Sequence, residues 1–504
     1  MFLIILVFLI LFLSYFSNYL RVFYYVSKLP GPTAYPIIGN ALLILGTNED
    51  ALSKVLKLFK DYSPFFRAWL GPVPIVCTSN PDFVQRLLTG KYSMEKSFLM
   101  KYIGKEVVGN SIIISEVPKW KHNRNIIAQG FTPAILQSYF EIFLEKSLML
   151  CDNLDVKLND VKSFDIFQYL SQTSLDTICA STMGVNSNDE NNKAAFYSAI
   201  ENVLHLSVER SRYFWNIPKF IYCWSKSYKK HNESMKTIQE FANNVILQKK
   251  NYCKSYNNLD ICTDRSKNEF KKPLLEFLID LQATNLDFTE KDLGDEANLV
   301  IIAGYETSAT ALSSVLLNLA VYKDVQNKVY EELFQVLGSD LNRTINFDDL
   351  PKLTYMEMVM KESMRLFPIA PFIIRELTDD IQLGDCLIPR GVSCAVSIYA
   401  LHCDEKIWEN PLKFDPERFT PENSIGRHPY AYIPFSGGPR NCIGMRYAWM
   451  FMKTVLATLL SRYEFHTDLN TSEFKFEFAV TMKLIGGYQI QITPRKNDFL
   501  DHSR

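Results

Sequence analysis

Cys442 stands in the stretch Phe435-Ser436-Gly437-Gly438-Pro439-Arg440-Asn441-Cys442-Ile443-Gly444, and none of the other cysteines has such a frame. A thiolate that ligates a metal needs backbone amides aimed at its sulfur, and glycine permits the tight turn that aims them. Positive charge close by, here Arg440, favours the ionised form. An apolar ring, here Phe435, keeps water and oxidants away. A second unusual stretch is Ala303-Gly304-Tyr305-Glu306-Thr307-Ser308, inside a long apolar helical pattern. Glycine within a helix costs about 1 kcal/mol relative to alanine, and an acid followed by threonine in an apolar run is uncommon. On residue chemistry alone, a kinked helix with a hydroxyl-to-backbone bond explains it. Glu362-Ser-Met-Arg365 is an i,i+3 charge pair, whose ordinary use is a solvated helix face. His122, His402 and His428 follow no HExxH or facial-triad spacing and are read as structural.

The whole chain bounds these readings. It has 504 residues, 47% hydrophobic and 22% charged, which suits a globular body with a large core. Its formal net charge of −1 gives no footprint for nucleic-acid binding. The ten cysteines form no CxxC pair and no zinc-ligand spacing, so the thiols are read as reduced and the body as facing the cytosol.

The elements that position these residues start with an apolar N-terminus. Phe2–Leu13 is unbroken hydrophobic sequence, continuing more weakly to Leu20. A bilayer span needs ~20 residues. No basic segment precedes the run and no small-residue cleavage site follows it, so residues 1–26 are expected to be a retained anchor. Arg21 and Lys28 follow the run and place the remainder in the cytosol. Leu29-Pro30-Gly31-Pro32 opens a stiff hinge over 27–40, and 41–504 is expected to be one catalytic domain. A hairpin is expected at Arg67–Leu70 and Ile75–Thr78. Helical patterns cover 132–152, 165–184, 192–211, 226–252, 273–284, 290–323, 324–338, 355–367 and 443–462. Short strands are expected at 373–378, 382–388, 392–397 and 487–493, and a polar loop at Asn257–Lys272. The fold class is mainly α with small β-sheets.

Phe-x-x-Gly-x-Arg-x-Cys-x-Gly resembles the haem-binding loop of the cytochromes P450, in which the cysteine thiolate is the proximal iron ligand. Trp120-Lys-His-Asn-Arg124 is similar to the family's WxxxR signature, residues 303–308 to its oxygen-binding motif, Glu362–Arg365 to its ExxR pair, and Phe414-Asp-Pro-Glu-Arg418-Phe419 to its PERF segment. The order is the family's and the resemblance spans almost the whole chain. Arg427–Phe435 and Leu175–Gly184 resemble family 4, known for oxidising fatty acids and other lipophilic compounds.

The resemblance implies the P450 fold and a role for each residue. Cys442 ligates the iron of haem b. Trp120, Arg124, Arg375 and Arg440 hold the haem propionates. Glu362, Arg365 and Arg418 form a buried ionic triad under the cysteine loop. Gly304 opens a groove for dioxygen, Thr307 holds water, and Glu306 relays protons for O–O cleavage. Family 4 often carries glutamate, ester-linked to haem, where Ala303 stands, so a non-covalent haem is expected here. Gly437 and Ser308 are mild departures. The implied activity is a monooxygenase inserting one oxygen atom from dioxygen into a lipophilic substrate, such as a fatty acid, terpenoid, steroid or xenobiotic. Electrons would come from NADPH through NADPH-cytochrome P450 reductase, with cytochrome b5 as a second donor, at the endoplasmic reticulum membrane. Lys119, Lys121, Arg446 and Lys453 are expected at the docking face, and Ile112–Ile114, Ile373, Ile374 and Ala479–Met482 around the substrate. The rival readings are a haem-thiolate isomerase or dehydratase that uses no external oxygen, and a catalytically silent, membrane-tethered lipid-binding protein.

Overall fold

A single long helix, Glu290–Val321, organises the molecule. Its start is fixed by a capping box, in which Thr289 and Asp292 each accept from the other's backbone amide. It is apolar on nearly every side because it is enclosed on nearly every side. By length and composition it could cross a bilayer, yet 83% of its most apolar stretch is buried in the core. The computed structural model describes residues 2–158, 162–186, 190–257, 272–284, 286–338 and 343–495.

Around this axis lie helices Pro133–Asp155, Ile166–Ile178, Glu190–Arg212, Lys226–Asn257, Leu274–Thr284, Lys323–Leu337, Thr354–Leu366 and Met445–Leu460, close to the ranges that the periodicity predicts. The pattern at 165–184 ends in a π turn, Cys179–Met183, not in α-helix. Helices Asn48–Asp61, Pro81–Thr89 and Phe98–Val108 carried no clear sequence signal. Asn257–Lys272 lies, apart from its two ends, outside the described residues.

The sheets are small. Phe65–Leu70, Val73–Thr78, Ser393–Ser397 and Phe372–Glu376 form a four-stranded sheet in that order, with the expected hairpin as its first pair and a parallel middle pair. The strand expected at 382–388 is a tight hairpin of Ile381–Leu383 and Cys386–Ile388, because Gly384-Asp385 turns the chain. Phe476–Ala479 pairs with Thr481–Leu484 near the C-terminus.

The N-terminal helix runs from Phe2 to Ser27. Its last turns and the residues just after it are part of the body: Val22, Val26 and Leu29 pack in a core cluster with Trp69 and Val396, and Arg21 pairs with Asp380. The segment read as a hinge is docked as well. The Arg67 guanidinium donates to the Leu29 carbonyl (2.7 Å), and Trp69 and Asn40 exchange hydrogen bonds of 2.7 and 2.9 Å. The orientation of the N-terminal helix is therefore set by the sheet, not by proline stiffness alone.

Candidate active site

The loop that presents Cys442 is shaped by its own sequence. Ser436 and Gly438 both have positive φ, 61° and 68°. A Cβ at Gly438 would lie 1.9 Å from the Leu88 carbonyl oxygen, so no side chain fits there. The Cys442 amide donates to the Phe435 carbonyl (3.0 Å), and the Phe435 ring lies 5.9 Å from that of Trp449. Cys77, Cys151, Cys179 and Cys394 are buried, whereas Cys442 is exposed. Desolvation by the enclosing loop raises its pKa, and the Gly444 amide and the Arg124 charge oppose that rise. The charge acting on this thiol is thus Arg124, not Arg440 as the local sequence suggested. Arg124 clamps the loop by donating to the carbonyl (2.8 Å) and side-chain oxygen (2.6 Å) of Asn441. Gly437 is no mild departure in this setting, since a Cβ would meet the Tyr430 ring at 2.7 Å.

Beneath the loop, Glu362 and Arg365 make a bidentate pair of 2.7 and 2.8 Å with both side chains fully buried. Arg418 approaches the same carboxylate at 3.4 Å, and the Asp415 amide donates to it (2.9 Å). Burial raises the Glu362 pKa, and hydrogen bonding by Arg365 holds it down. The triad reaches the cysteine loop through His402, as follows. Arg365 donates to the His402 carbonyl (2.7 Å), and the Ile433 amide, two residues before Phe435, donates to His402 Nε2 (2.9 Å). Burial and the Arg365 charge push the His402 pKa down to about 3, so the ring accepts as a neutral group and is structural.

A second buried cluster has the opposite character. Arg375 and Arg440 are buried, and the charge of each disfavours the charged form of a cationic neighbour. Burial first, and then Arg440, push the Arg375 pKa down to about 10. Burial pushes Arg440 down to about 10 as well. Lys96, which the sequence reading missed, is buried beside them, and its pKa is lowered well below the ordinary lysine value by burial and by both arginines. Arg440 donates to the Ser115 carbonyl (2.6 Å) and lies over the Trp120 ring at 4.6 Å. Its Nε and one terminal nitrogen have no partner. Among the described residues none of these three cations has a salt-bridge partner within 4 Å, so the cluster is built for an anion from outside the chain.

The central helix opens on one stripe only. From Glu296 to Ala320 every residue is buried except Ala303, Gly304 and Thr307. Ala303 and Thr307 are exposed, one turn apart. The Thr307 hydroxyl donates to the Ala303 carbonyl (2.7 Å), the local bond expected for a threonine in a helix. Gly304, partly exposed beside Ala303, also lets helix Ile166–Ile178 approach closely, since a Cβ there would lie 2.5 Å from Ile178. Glu306 is turned away. It is buried and pairs with Lys483 (2.9 Å), and Thr481 donates to it (3.2 Å).

Two sets of expected contacts are corrected. Lys453 is buried and pairs with Glu357 (2.8 Å), so it cannot dock a partner. Lys119 is committed to Asp292, which leaves Lys121 and Arg446 exposed. Ile373 and Ile374 pack in different core clusters, as alternation along a strand requires, so both cannot line one pocket. Ile112 and Ile114 are buried and Ile113 is exposed. Thr481 is a polar partner of Glu306 and not an apolar wall; the side chain of Ala479 lies outside what is described.

The sequence matches the cytochrome P450 family model over residues 29–492. The chain belongs to the cytochrome P450 family. Relatives in family 4 extend over almost all of it. Cytochrome P450 4c21 of Blattella germanica is 32% identical, covering 93% of this chain and 94% of the relative. Human cytochrome P450 4V2 is 31% identical, covering 93% and 90%. Cytochrome P450 4c3 of Drosophila melanogaster is 29% identical, covering 94% and 91%. The chain is accordingly a haem-thiolate monooxygenase. Its residues fit the family's haem: an exposed thiol in a turn of fixed geometry, and a buried cation cluster with orphaned donors for acidic substituents.

Proposed function

We propose that this P450 is a membrane-tethered enzyme that hydroxylates a lipophilic substrate, a fatty acid first among the candidates, with electrons from NADPH through a flavoprotein reductase. The observation that carries this reading is the open stripe of Ala303 and Thr307 on an otherwise buried helix, with Glu306 intact beside it. The Glu306-Thr307 pair argues against an isomerase or dehydratase, which takes up no dioxygen. When bound, haem b supplies dioxygen activation and transfer of one oxygen atom to carbon.

The chain's own residues supply the rest. Cys442 offers the thiolate, with Arg124 and the Gly444 amide favouring its charge. Lys96, Trp120, Arg375 and Arg440, with Arg124, hold the propionates by charge-assisted bonds. Ala303 cannot form an ester, so the haem is held without a covalent bond. Thr307 holds water at the open stripe, and Glu306 handles protons behind it. Ile112 and Ile114 give an apolar boundary for substrate. Residues 2–20 anchor the chain in the endoplasmic reticulum membrane, and Lys121 and Arg446 face the electron donor.

The test is a screen of fatty acids, terpenoids, steroids and xenobiotics for the type I spectral shift. Hits are then incubated with NADPH, reductase and isotopically labelled dioxygen. One labelled oxygen atom in the product supports the reading. Rearranged or dehydrated product without oxygen uptake would replace it by the isomerase or dehydratase reading, and binding without turnover by the lipid-binding one.

A further inference from the structure

Glu296 is a fully buried carboxylate near the start of the central helix, and among the described residues no cation pairs with it. It joins three elements. Its oxygens accept from the Ile112 backbone amide (3.1 Å) and from the side-chain amide of Asn123 on helix Val117–Ile127 (2.9 Å). Its neighbours on the central helix grip the same stretch of chain. Asp295 accepts from the Asn110 amide (2.7 Å), and Asn298 donates to the Val107 carbonyl (3.0 Å). A Cβ at Gly109, where φ is 58°, would lie 1.9 Å from the Asp295 carboxylate, so only glycine permits that approach.

The charges that act on Glu296 leave it without a counter-ion. Lys119, on helix Val117–Ile127, is committed to Asp292, and Asp295 is itself an acid, paired with Lys291. Segment Gly109–Ser115 carries no ionisable side chain. Burial therefore raises the Glu296 pKa to about 7, against the hydrogen bonds from Asn123 and Ile112. Opening of the segment admits water and returns the carboxyl toward the ordinary value of ~4.3. Between these two values the closed form binds more protons than the open one. Closure is thus strongest in acid and weakens as pH rises to about 7. A neutral carboxyl keeps both contacts, accepting from Ile112 and donating to the oxygen of a turned Asn123 amide.

We infer that Glu296 is a positioning residue that latches the Ile112 boundary of the substrate site to the central helix, tightly when neutral and loosely when ionised. It acts on substrate only through Ile112. The inference rests on the reading that Ile112 and Ile114 bound the substrate. A loosened segment gives a lipophilic ligand faster passage at neutral pH than in acid.

The test uses the full-length haem-loaded protein and its Glu296→Gln variant. The first readout is hydrogen exchange across 109–115, corrected for the intrinsic effect of pH on exchange. The opening constant should rise about 10-fold from pH 6 to pH 8 in the wild type. In Glu296→Gln it should be flat, because the amide cannot ionise. The second readout is the binding rate of octyl isocyanide, an uncharged ligand of reduced haem iron whose chain must pass the boundary. That rate should rise by a similar factor in the wild type, and at pH 8 it should be about 10-fold lower in Glu296→Gln. A flat exchange profile in the wild type, or an equal slope in Glu296→Gln, overturns the latch and leaves the boundary reading standing. Should Glu296→Gln not fold, the wild-type exchange profile decides alone. Exchange that responds while the isocyanide rate does not contradicts the boundary reading, and the positioning role with it.

Discussion

Two arginine-rich clusters are buried in this molecule, and they are built on opposite principles. Around Glu362, the carboxylate takes both donors of one Arg365 edge, the approach of Arg418 and a backbone amide. The carboxylate is paired within the chain, and of the buried donors on Arg365 and Arg418, Nε of Arg418 alone lacks a hydrogen bond. Around Arg375, Arg440 and Lys96, three cations are buried together and donors on Arg440 lack partners. Breaking a balanced buried pair leaves a charge stranded, whereas an unbalanced cluster is already paying for charges that only a ligand can neutralise. The first cluster is a finished brace. The second is, on the proposed reading, half of a binding site.

The two clusters should respond to mutation with opposite signs. Glu362→Ala strands Arg365 and Arg418 and should destabilise the fold by about 3–5 kcal/mol, eliminating haem-loaded protein; purification of a stable, haem-loaded variant would refute the brace. Acid should attack the same cluster. His402 is neutral in the fold, with its pKa pushed down to about 3, but ionises near 6.5 when unfolded. Unfolded chains then bind more protons between these values, so stability is present above pH 6.5 and is lost as pH falls below it. His402→Asn should flatten that acid loss, a difference of roughly 2–4 kcal/mol in unfolding at pH 4; an unaltered pH profile would show that the ring carries no such burden.

Arg375→Met is the counterpart in the open cluster. It removes a buried cation that the chain does not neutralise, so the haem-free protein should be unchanged or more stable by about 1 kcal/mol, while haem retention weakens. Marked destabilisation of the haem-free form would mean that the cluster is balanced after all. The smallest effect concerns Ala303. Acidified organic solvent should extract all haem from the wild type, and haem remaining on the polypeptide would contradict the non-covalent reading.

Much of this was legible in sequence because the family's motifs are local. Cys442, Glu362–Arg365 and Trp120–Arg124 declare themselves within ten residues, and the helices that carry them follow from apolar periodicity. What was not legible depends on distant contacts. Lys96 matters because folding brings it beside Arg375 and Arg440, and nothing in its neighbours announces that. Thr481 meets Glu306 across 175 residues, which turns a position read as an apolar wall into a polar partner. Lys453 looked like a surface charge because charge suggests exposure, but it is buried and reaches Glu357 at the edge of the core. Gly304 has a second reason that its neighbours in sequence do not announce, the close approach of Ile178.

The central claim is that Cys442 ligates a haem seated against the open cation cluster. The carbon monoxide difference spectrum of the reduced full-length protein, taken beside Cys442→Ala, tests it most directly. The wild type should show the red-shifted Soret band of thiolate ligation, and Cys442→Ala should lose it even where haem is retained. A wild-type spectrum without that band, or a variant that keeps it, would contradict the account.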